Sequence, residues 1–184
     1  MALRQIVTLP DPVLRRKAKA VTNFGRELQT LIDDMIETMR DAPGVGLAAP
    51  QVGISERLAV IEYAEEDDEE DDSEVASEGV EVTIKPPTPK QLYVLINPEI
   101  VKASEEKVMG IEGCLSIPGL LGEVERHEAL QVKALNRHGK PVKLKVDGWL
   151  ARIFQHEIDH LNGVVFTDLA SRVWQPKEPV EDNV

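Results

Sequence analysis

Two stretches of helical periodicity lie near the ends of this chain of 184 residues, and only short β-like runs lie between them. From residue 23 to residue 40, apolar side chains recur at steps of three and four, which predicts an amphipathic helix capped by Asn23. A second helix is predicted from about residue 148 to residue 162, with Asp147 at its start and Gly163 at its end. The β-like runs cover residues 57–63, 91–97, 99–103, 122–126, 130–134 and 141–146. Strands between terminal helices favour an α+β fold over alternating βαβ units.

The length of the chain suits a single domain, residues 1–184, with a substantial buried core. No run approaches the roughly 18 apolar residues that span a bilayer, and the N-terminus lacks the apolar segment of a signal peptide. Cys114 is the only cysteine, which excludes an intrachain disulfide and fits a reducing compartment. We therefore expect a cytoplasmic protein with no membrane partner.

The net charge of −12 is concentrated in one segment of the chain. Residues 62–81 contain twelve acidic side chains and no Lys or Arg, which leaves 21 acidic and 21 basic side chains elsewhere. No basic stripe remains to neutralise phosphates, so sequence-specific nucleic-acid binding is not expected. Residues 65–72 are all acidic and repel one another, which predicts a mobile, solvent-exposed insertion at about residues 64–90. A role in docking or in cation binding is the alternative for this segment.

The sequence HEIDH, residues 156–160, carries the most informative chemistry. Residues four apart lie on one face of a helix, so His156 and His160 can reach the same metal ion. Glu157 is rotated by about 100° from its neighbour, and from there its carboxylate can contact a coordinated water without becoming a ligand. Metal-dependent hydrolases use this arrangement to deprotonate water. The alternative is an exposed helix with two histidines that have no role.

A catalytic metal site needs three protein ligands and one open position, so a third ligand must come from elsewhere. The metzincin pattern fails because its third histidine position is Phe166, and the short tail has no clear helix to supply a glutamate. The other candidates are His127, His138 and Cys114. Cys114 has the most favourable surroundings, because nearby glycines allow a sharp turn or bulge and a thiolate binds borderline ions strongly. His127 and His138 lie in charged segments typical of solvated turns, and we assign them no role.

Three segments of the chain resemble the signature motifs of the peptide deformylases, in the order that the family has them. They are GVGLAAPQ at residues 44–51, EGCLS at residues 112–116 and QHEIDHL at residues 155–161. The resemblance extends from the N-terminal helix to Asp168, apart from the acidic insertion and a short tail of little helical character. It implies an α+β fold with antiparallel or mixed sheets packed around a C-terminal metal-binding helix.

The same resemblance implies the composition of a metal site. Cys114, His156 and His160 would hold one divalent ion, commonly Fe²⁺ in this family, with Zn²⁺, Ni²⁺ or Co²⁺ as alternatives. Glu157 would act first as the general base and then as the acid that protonates the leaving amine.

Substrate contacts follow from the resemblance as well. The side-chain amide of Gln51 and the backbone N–H of Leu115 would donate hydrogen bonds to the oxyanion that forms on the formyl group. Gly46 would position the substrate through its backbone, and Ile153 would line an apolar slot for the methionine side chain. The implied partners are N-formylmethionyl nascent peptides and the ribosome near its exit tunnel.

Two other functions remain open from the residues alone. One is a metallopeptidase that cuts internal peptide bonds. The other is a non-catalytic binding module in which the metal only stabilises the fold. A structural site is closed by four protein ligands, whereas this sequence offers three and a well-placed base, which favours catalysis.

Overall fold

The computed structural model describes residues 2–64 and 89–176 of the chain. The helices in these residues are α1 (Arg26–Asp41) and α2 (Gly148–Leu161), with short 3₁₀ turns at Pro12–Arg15, Ala49–Val52 and Phe166–Asp168. The strands are β1 (Gly46–Ala48), β2 (Leu58–Tyr63), β3 (Gln91–Ala103), β4 (Lys107–Cys114), β5 (Ile117–His127), β6 (Ala129–Leu135), β7 (Pro141–Asp147) and β8 (Arg172–Trp174). No helix in the described part of the chain is long and apolar enough to cross a membrane.

The strands form two separate sheets. One sheet has the order β1-β2-β3-β6-β7 and the other has the order β4-β5-β8. Every pairing between these strands is antiparallel. This arrangement confirms the expected α+β fold, and its sheets are antiparallel. In the order of pairing, β1 and β4 are edge strands of their sheets, so each has one side that is not paired with another described strand.

Helix α1 forms where the amphipathic pattern predicted it. Its apolar side chains are buried against β1 and β2, in a cluster of Leu28, Leu31, Ile32, Met35, Ile36, Met39, Leu47, Leu58 and Val60. The expected cap is wrong: the helix begins at Arg26 after Gly25, with no side-chain cap. Asn23 instead accepts a hydrogen bond from the N–H of Gly25 at 2.9 Å, because a short amide side chain readily closes a turn with the residue two positions on.

Helix α2 lies between the two sheets and is buried on most of its surface. On one side, Ala151, Phe154 and Ile158 pack with Leu95 and Val132 of the five-stranded sheet. On the other side, its polar residues reach the strands of the smaller sheet through hydrogen bonds. Asp147 occupies the N-cap position without a side-chain hydrogen bond, and Gly163, with φ of 77°, follows the end of the helix as predicted.

Several strands differ from the sequence-based expectation. The runs at 91–97 and 99–103 are one strand, β3, whose pairing with β6 is interrupted by register shifts. Gly110 and Gly113 were expected to allow a turn or bulge beside Cys114. Gly110 instead lies in regular β4, whereas the irregularity beside the cysteine is found as expected, between Gly113 and Cys114. The small-residue loop at 44–51 contains β1 and a 3₁₀ turn, and β8 was not predicted.

The predicted insertion at about residues 64–90 lies outside the described residues, except for its ends, and the single-domain organisation stays a prediction. Its flanking strands are closely paired, because Tyr63 is directly opposite Gln91. If the insertion only closes a loop, replacing residues 65–88 by a four-residue turn should raise the free energy of unfolding by about 1.5 kcal/mol, through the lower entropy of loop closure. Chemical denaturation of both forms measures this difference. A decrease of more than about 2 kcal/mol would mean that the segment contributes to the core.

Candidate metal centre

Three side chains from two distant segments converge at the end of β4. The Cys114 sulfur and one ring nitrogen each from His156 and His160 all lie within 4.8 Å of one another. The sulfur is 3.2 Å from Nε2 of His160. Helix α2 supplies both imidazoles because they are one turn apart, and the irregularity after Gly113 directs the thiol toward them. The structure therefore brings together the three ligands that the sequence suggested.

A buried carboxylate orients the first imidazole. Glu112 Oε2 lies 2.9 Å from Nδ1 of His156, which leaves Nε2 of that ring as the nitrogen available to an ion. Arg126 binds the same carboxylate through two hydrogen bonds, at 2.9 and 3.0 Å, and also contacts Asp159. Sequence reasoning named Glu112 only as part of a motif and missed both its role and that of Arg126. The available signal was a glutamate directly before the Gly-Cys pair.

Burial and hydrogen bonding shift the pKa values of three groups in this centre. Burial opposes ionisation of Glu112, but hydrogen bonds from His156 and Arg126 outweigh it and lower its pKa to about 2. Burial also opposes protonation of His156, yet hydrogen bonds to Cys114 and Glu112 raise its pKa to about 10. Burial, together with the nearby charge of His156, lowers the pKa of His160 well below its ordinary value. Glu112 thus stabilises a positive charge on His156, whereas a proton on His160 is disfavoured. One sulfur with two imidazole nitrogens is a donor set that suits a divalent metal ion.

Glu157 is buried beside this centre and faces the same cleft. Its Oε2 has no hydrogen-bond partner among the described residues, and burial raises the pKa of its carboxyl to about 7. The carboxylate lies against the backbone of Gly46, where a Cβ atom would be only 2.4 Å from Oε1. Only glycine at position 46 leaves room for this carboxylate in its observed place.

The amide of Gln51 is held in one orientation. Its Oε1 accepts a hydrogen bond from the N–H of Ala48 at 2.8 Å, and its Nε2 lies 3.5 Å from the Cys114 sulfur. An amide fixed in this way presents its N–H₂ group to the centre. Leu115, whose backbone N–H is the second predicted donor, follows the cysteine and lines the same cleft.

An open cleft of about 430 Å³ lies over the centre. One wall is formed by the start of β1, the opposite wall by the end of β4, and the floor by α2. Its apolar lining includes Ile153, as expected, together with Val45, Ile111, Leu120 and Trp149, which were not predicted. The side chains of Ile111 and Trp149 are 54% and 47% exposed, so the mouth of the cleft offers apolar surface to a ligand.

The two remaining histidines do not reach the metal centre. His127 ends β5, and its Nδ1 lies 2.6 Å from the carbonyl oxygen of Ser104. His138 is exposed in the turn before β7. Neither belongs to the cluster of ligand atoms among the described residues. The expected solvated turn is wrong for His127, which lies in a strand and is partly buried, and holds for His138.

Comparison with known proteins identifies the family. The family model for polypeptide deformylase matches residues 3–175, nearly the whole chain. The chain belongs to the peptide deformylase family. It is therefore a metal-dependent hydrolase that removes the formyl group from N-terminal methionine, and the expected family and enzyme class are confirmed.

Similar deformylases come from diverse bacteria. The peptide deformylase of Symbiobacterium thermophilum is 50% identical over 182 residues, which cover 99% of this chain and 73% of that protein. The peptide deformylase of Thermotoga maritima has a crystal structure that matches with a TM-score of 0.76 at 40% identity, over 94% of this chain and 100% of that one. The peptide deformylase of Ehrlichia chaffeensis in complex with actinonin gives 0.77 at 41% identity, over 94% and 91%.

Proposed function

We propose that deformylation takes place in the cleft between β1 and β4, with one divalent cation held by three side chains and with Glu157 as the base. The ligands in this proposal are Cys114, His156 and His160. The observation that carries it is the buried carboxylate of Glu157, whose Oε2 has no hydrogen-bond partner among residues 2–64 and 89–176, in the same cleft as three converging ligand atoms. A structural metal site does not require a free carboxylate, whereas a hydrolase needs one to accept a proton from water.

The cation in this proposal is Fe²⁺, with Zn²⁺, Ni²⁺ and Co²⁺ as ions that the same donor set accepts. One thiolate and two imidazoles suit borderline ions, and selection among them depends on availability as well as affinity. When bound, the cation supplies a Lewis acid at the formyl oxygen and lowers the pKa of water from ~15.7 toward ~7.

Glu157 moves the proton that the reaction requires. Its carboxylate accepts a proton from the attacking water as the water oxygen bonds to the formyl carbon. The bond between that carbon and nitrogen then breaks, its electron pair stays on nitrogen, and Glu157 returns the proton to this nitrogen. The products are formate and a peptide with a free amino group.

Two donors stabilise the negative charge that develops on the formyl oxygen. The Nε2 group of Gln51 is oriented by Ala48, and the backbone N–H of Leu115 lies next to the thiolate in the chain. Preorganised donors of this kind contribute roughly 3–4 kcal/mol each to transition-state stabilisation, because they need no reorganisation during the reaction.

The edge of β1 is suited to bind the peptide backbone. The carbonyl oxygen of Val45 accepts a hydrogen bond from the N–H of Glu62 on β2, and Gly46 lies opposite Ile61. Backbone groups alternate in direction along a strand, so the N–H and C=O of Gly46 point away from β2 and toward the cleft. An extended peptide can add to such an edge. The methionine side chain then packs on the apolar surface near Ile153.

Substituting Gly46 tests whether close packing positions the base. In Gly46→Ala the new methyl group overlaps the carboxylate of Glu157, which must move, and we expect kcat to fall on the order of 100-fold because a displacement of ~1 Å can cost that much. Steady-state kinetics at matched metal content measures the change. The control is Gly44→Ala in the same loop, where the nearest atom to the methyl group is the end of the Leu115 side chain at 3.0 Å and the backbone oxygens lie at ordinary contact distance, so its loss of kcat should be smaller. Equal, near-native turnover in both variants contradicts this role of Gly46.

The proposed reaction is tested by comparing three substrates under anaerobic conditions. We expect hydrolysis of formyl-Met-Ala-Ser, and no cleavage of the unformylated peptide or of casein. Cleavage of casein or of the unformylated peptide would instead indicate a metallopeptidase. Metal analysis of the anaerobically purified protein identifies the resident ion in the same preparation.

Sensitivity to air should depend on the metal. Ferrous iron beside an accessible thiolate is open to oxidation, because thiolates are oxidised when exposed. We expect the iron-loaded enzyme to lose deformylase activity in air and the nickel-loaded enzyme to keep it. Activity followed over time for both forms in the same buffer measures the difference, and equal rates of decay contradict the mechanism.

We further propose that the substrates are nascent chains met at the ribosome in the cytoplasm, because N-terminal formyl-methionine occurs on newly made polypeptides. Co-sedimentation with translating ribosomes, compared with empty ribosomes, tests this step. Absence of co-sedimentation in both cases contradicts ribosome docking and leaves the chemistry of the cleft unaffected.

A further inference from the structure

We propose that Arg152 is a positioning residue for the metal centre: it fixes the strand that carries Cys114 against the helix that carries His156. The inference rests on the proposed metal site and goes beyond the groups that would touch metal or substrate. Arg152 lies one helical turn before His156, and its side chain is buried.

The guanidinium of Arg152 joins α2 to both neighbouring strands of the smaller sheet. Its Nη1 donates to the carbonyl of Val124 on β5 at 2.9 Å, and its Nη2 donates to the carbonyl of Val108 on β4 at 2.6 Å. Nη1 also lies 2.8 Å from Glu112 Oε1. One side chain thus holds two strands and the carboxylate that orients His156.

Gly110 is the structural counterpart of this arginine. A Cβ atom at position 110 would lie 2.6 Å from Cζ of Arg152 and 2.7 Å from its Nε and Nη2. These atoms belong to a guanidinium that is held by three hydrogen bonds, so it has little freedom to move aside. The glycine in the middle of β4 therefore provides the space that the arginine occupies, which also explains why a residue of low β-propensity is found there.

Spacing along the two elements explains why this contact affects the metal site. Arg152, His156 and His160 are four residues apart and lie on one face of α2. Gly110 and Cys114 are likewise four residues apart on β4, about 13 Å along an extended strand. The arginine thus fixes strand to helix at one end of the contact, and the three metal ligands meet at the other.

Arg126 does not replace this function. It also binds Glu112 on β4, through Nε and Nη2, and Asp159 on α2. In the described structure, however, the carbonyls of Val108 and Val124 accept their α2 side-chain hydrogen bonds from Arg152. Removing Arg152 should therefore leave Glu112 paired with Arg126 and His156, while removing the hydrogen bonds that hold the Val108 end of β4, and β5 at Val124, against α2. The expected consequence is a distorted and weaker metal site in a folded protein.

Cobalt binding provides the test, because the absorption bands of Co²⁺ report ligand geometry independently of turnover. We expect Arg152→Met to weaken Co²⁺ binding by about 10- to 100-fold in chelator competition, the range for residues that support metal ligands. We also expect it to shift the thiolate-to-cobalt and d–d bands. Arg152→Lys, which can reach only part of the acceptor set, should give an intermediate affinity.

Arg4→Met is the matched control for loss of a paired arginine. Arg4 binds the buried Asp34 on α1 and has no contact with Glu112 or with β4 in the described structure. The Arg4→Met substitution should lower the thermal stability of the protein without changing its Co²⁺ affinity or its absorption spectrum. If Arg152→Met lowers stability but keeps native cobalt affinity and spectrum, as this control does, then Arg152 is only structural and the inference is wrong.

A second pair of variants tests the same inference by creating steric overlap with Arg152 instead of removing its hydrogen bonds. Gly110→Ala should weaken cobalt binding and shift the bands as Arg152→Met does, whereas Gly110→Ala added to Arg152→Met should cause little further loss, because the overlapping guanidinium is gone. If the loss of Co²⁺ affinity in the double variant equals the sum of the losses in the two single variants, the proposed pairing of Gly110 with Arg152 is wrong. If the unsubstituted protein itself binds no Co²⁺, the proposed metal site fails, which is distinct from failure of the role of Arg152.

Discussion

Glu157→Ala should retain the metal ion and the fold while lowering deformylase turnover by at least about 100-fold, the usual scale of general acid–base catalysis. Metal retention is expected because the three ligand atoms come from other side chains. The fold should also persist, because Oε2 of Glu157 makes no hydrogen bond to the described residues and its removal breaks no pairing there. The loss of turnover follows because, among the described residues, the only other carboxylate that lines the cleft is that of Glu112, which is engaged by Arg126, Arg152 and His156.

Measurements of kcat, metal content and thermal unfolding on the same preparations separate these effects. Glu157→Gln is the matched variant, because it keeps the shape of the side chain and removes only its ability to accept the proton. Both variants should lose turnover to a similar extent with native metal content. Near-native turnover in either one refutes the assignment of the base, and loss of metal from both would place Glu157 among the ligands.

Cys114→Ser should reduce metal affinity at least about 100-fold, because changes to residues that only support the ligands already cost up to that factor. A serine hydroxyl is neutral near pH 7, so the substitution removes the negative charge as well as the soft sulfur donor. Deformylase activity should fall in parallel with metal content. Elemental analysis and chelator competition on anaerobic samples measure both quantities.

Ser116→Ala provides the control for Cys114→Ser, because it alters a nearby side chain in the same turn without touching the cluster. The Ser116 hydroxyl is fully buried and has no hydrogen-bond partner among the described residues, so its removal should cost little stability and no metal. Native metal content in Cys114→Ser would show that the sulfur is not a ligand. A comparable loss of metal in both variants would instead indicate a general disturbance of the turn.

The network around Glu112 suggests why the centre tolerates so much buried charge. Four donor atoms from Arg126, Arg152 and His156 share its two oxygens, so the carboxylate is fully paired inside the protein. A paired carboxylate of this kind fixes the ring of His156 and leaves one nitrogen free for the ion. The same hydrogen bonds join α2 to the strand that ends in Cys114. Catalytic geometry and the packing of the two sheets thus depend on the same side chains.

The positions of the two helices and of their buried faces could be predicted from the sequence, because these features depend only on backbone periodicity. The spacing of His156 and His160 places both rings on one face of any helix, and the apolar pattern of α1 identified the face that is buried. Glycine at position 163 ended the second helix because it adopts a positive φ at low cost. Cys114 was predicted as the third ligand from its neighbouring glycines and its thiol, and the family motifs implied the same residue, although the periodicity of its segment indicated little.

Tertiary structure decided what depends on residues far apart in the chain. Strand β4 escaped sequence reasoning because its glycines read as a turn, while in the folded protein Gly110 makes room for a guanidinium from α2. Glu112 reaches His156 across 44 residues of sequence, and no local pattern reveals such a partner. The sequence by itself thus determined which chemical groups are present and which of them share a helical face. The distances between these groups, their burial and hence their charges were determined only by the packing of α2 between two sheets. These properties depend on residues that meet only in the folded chain.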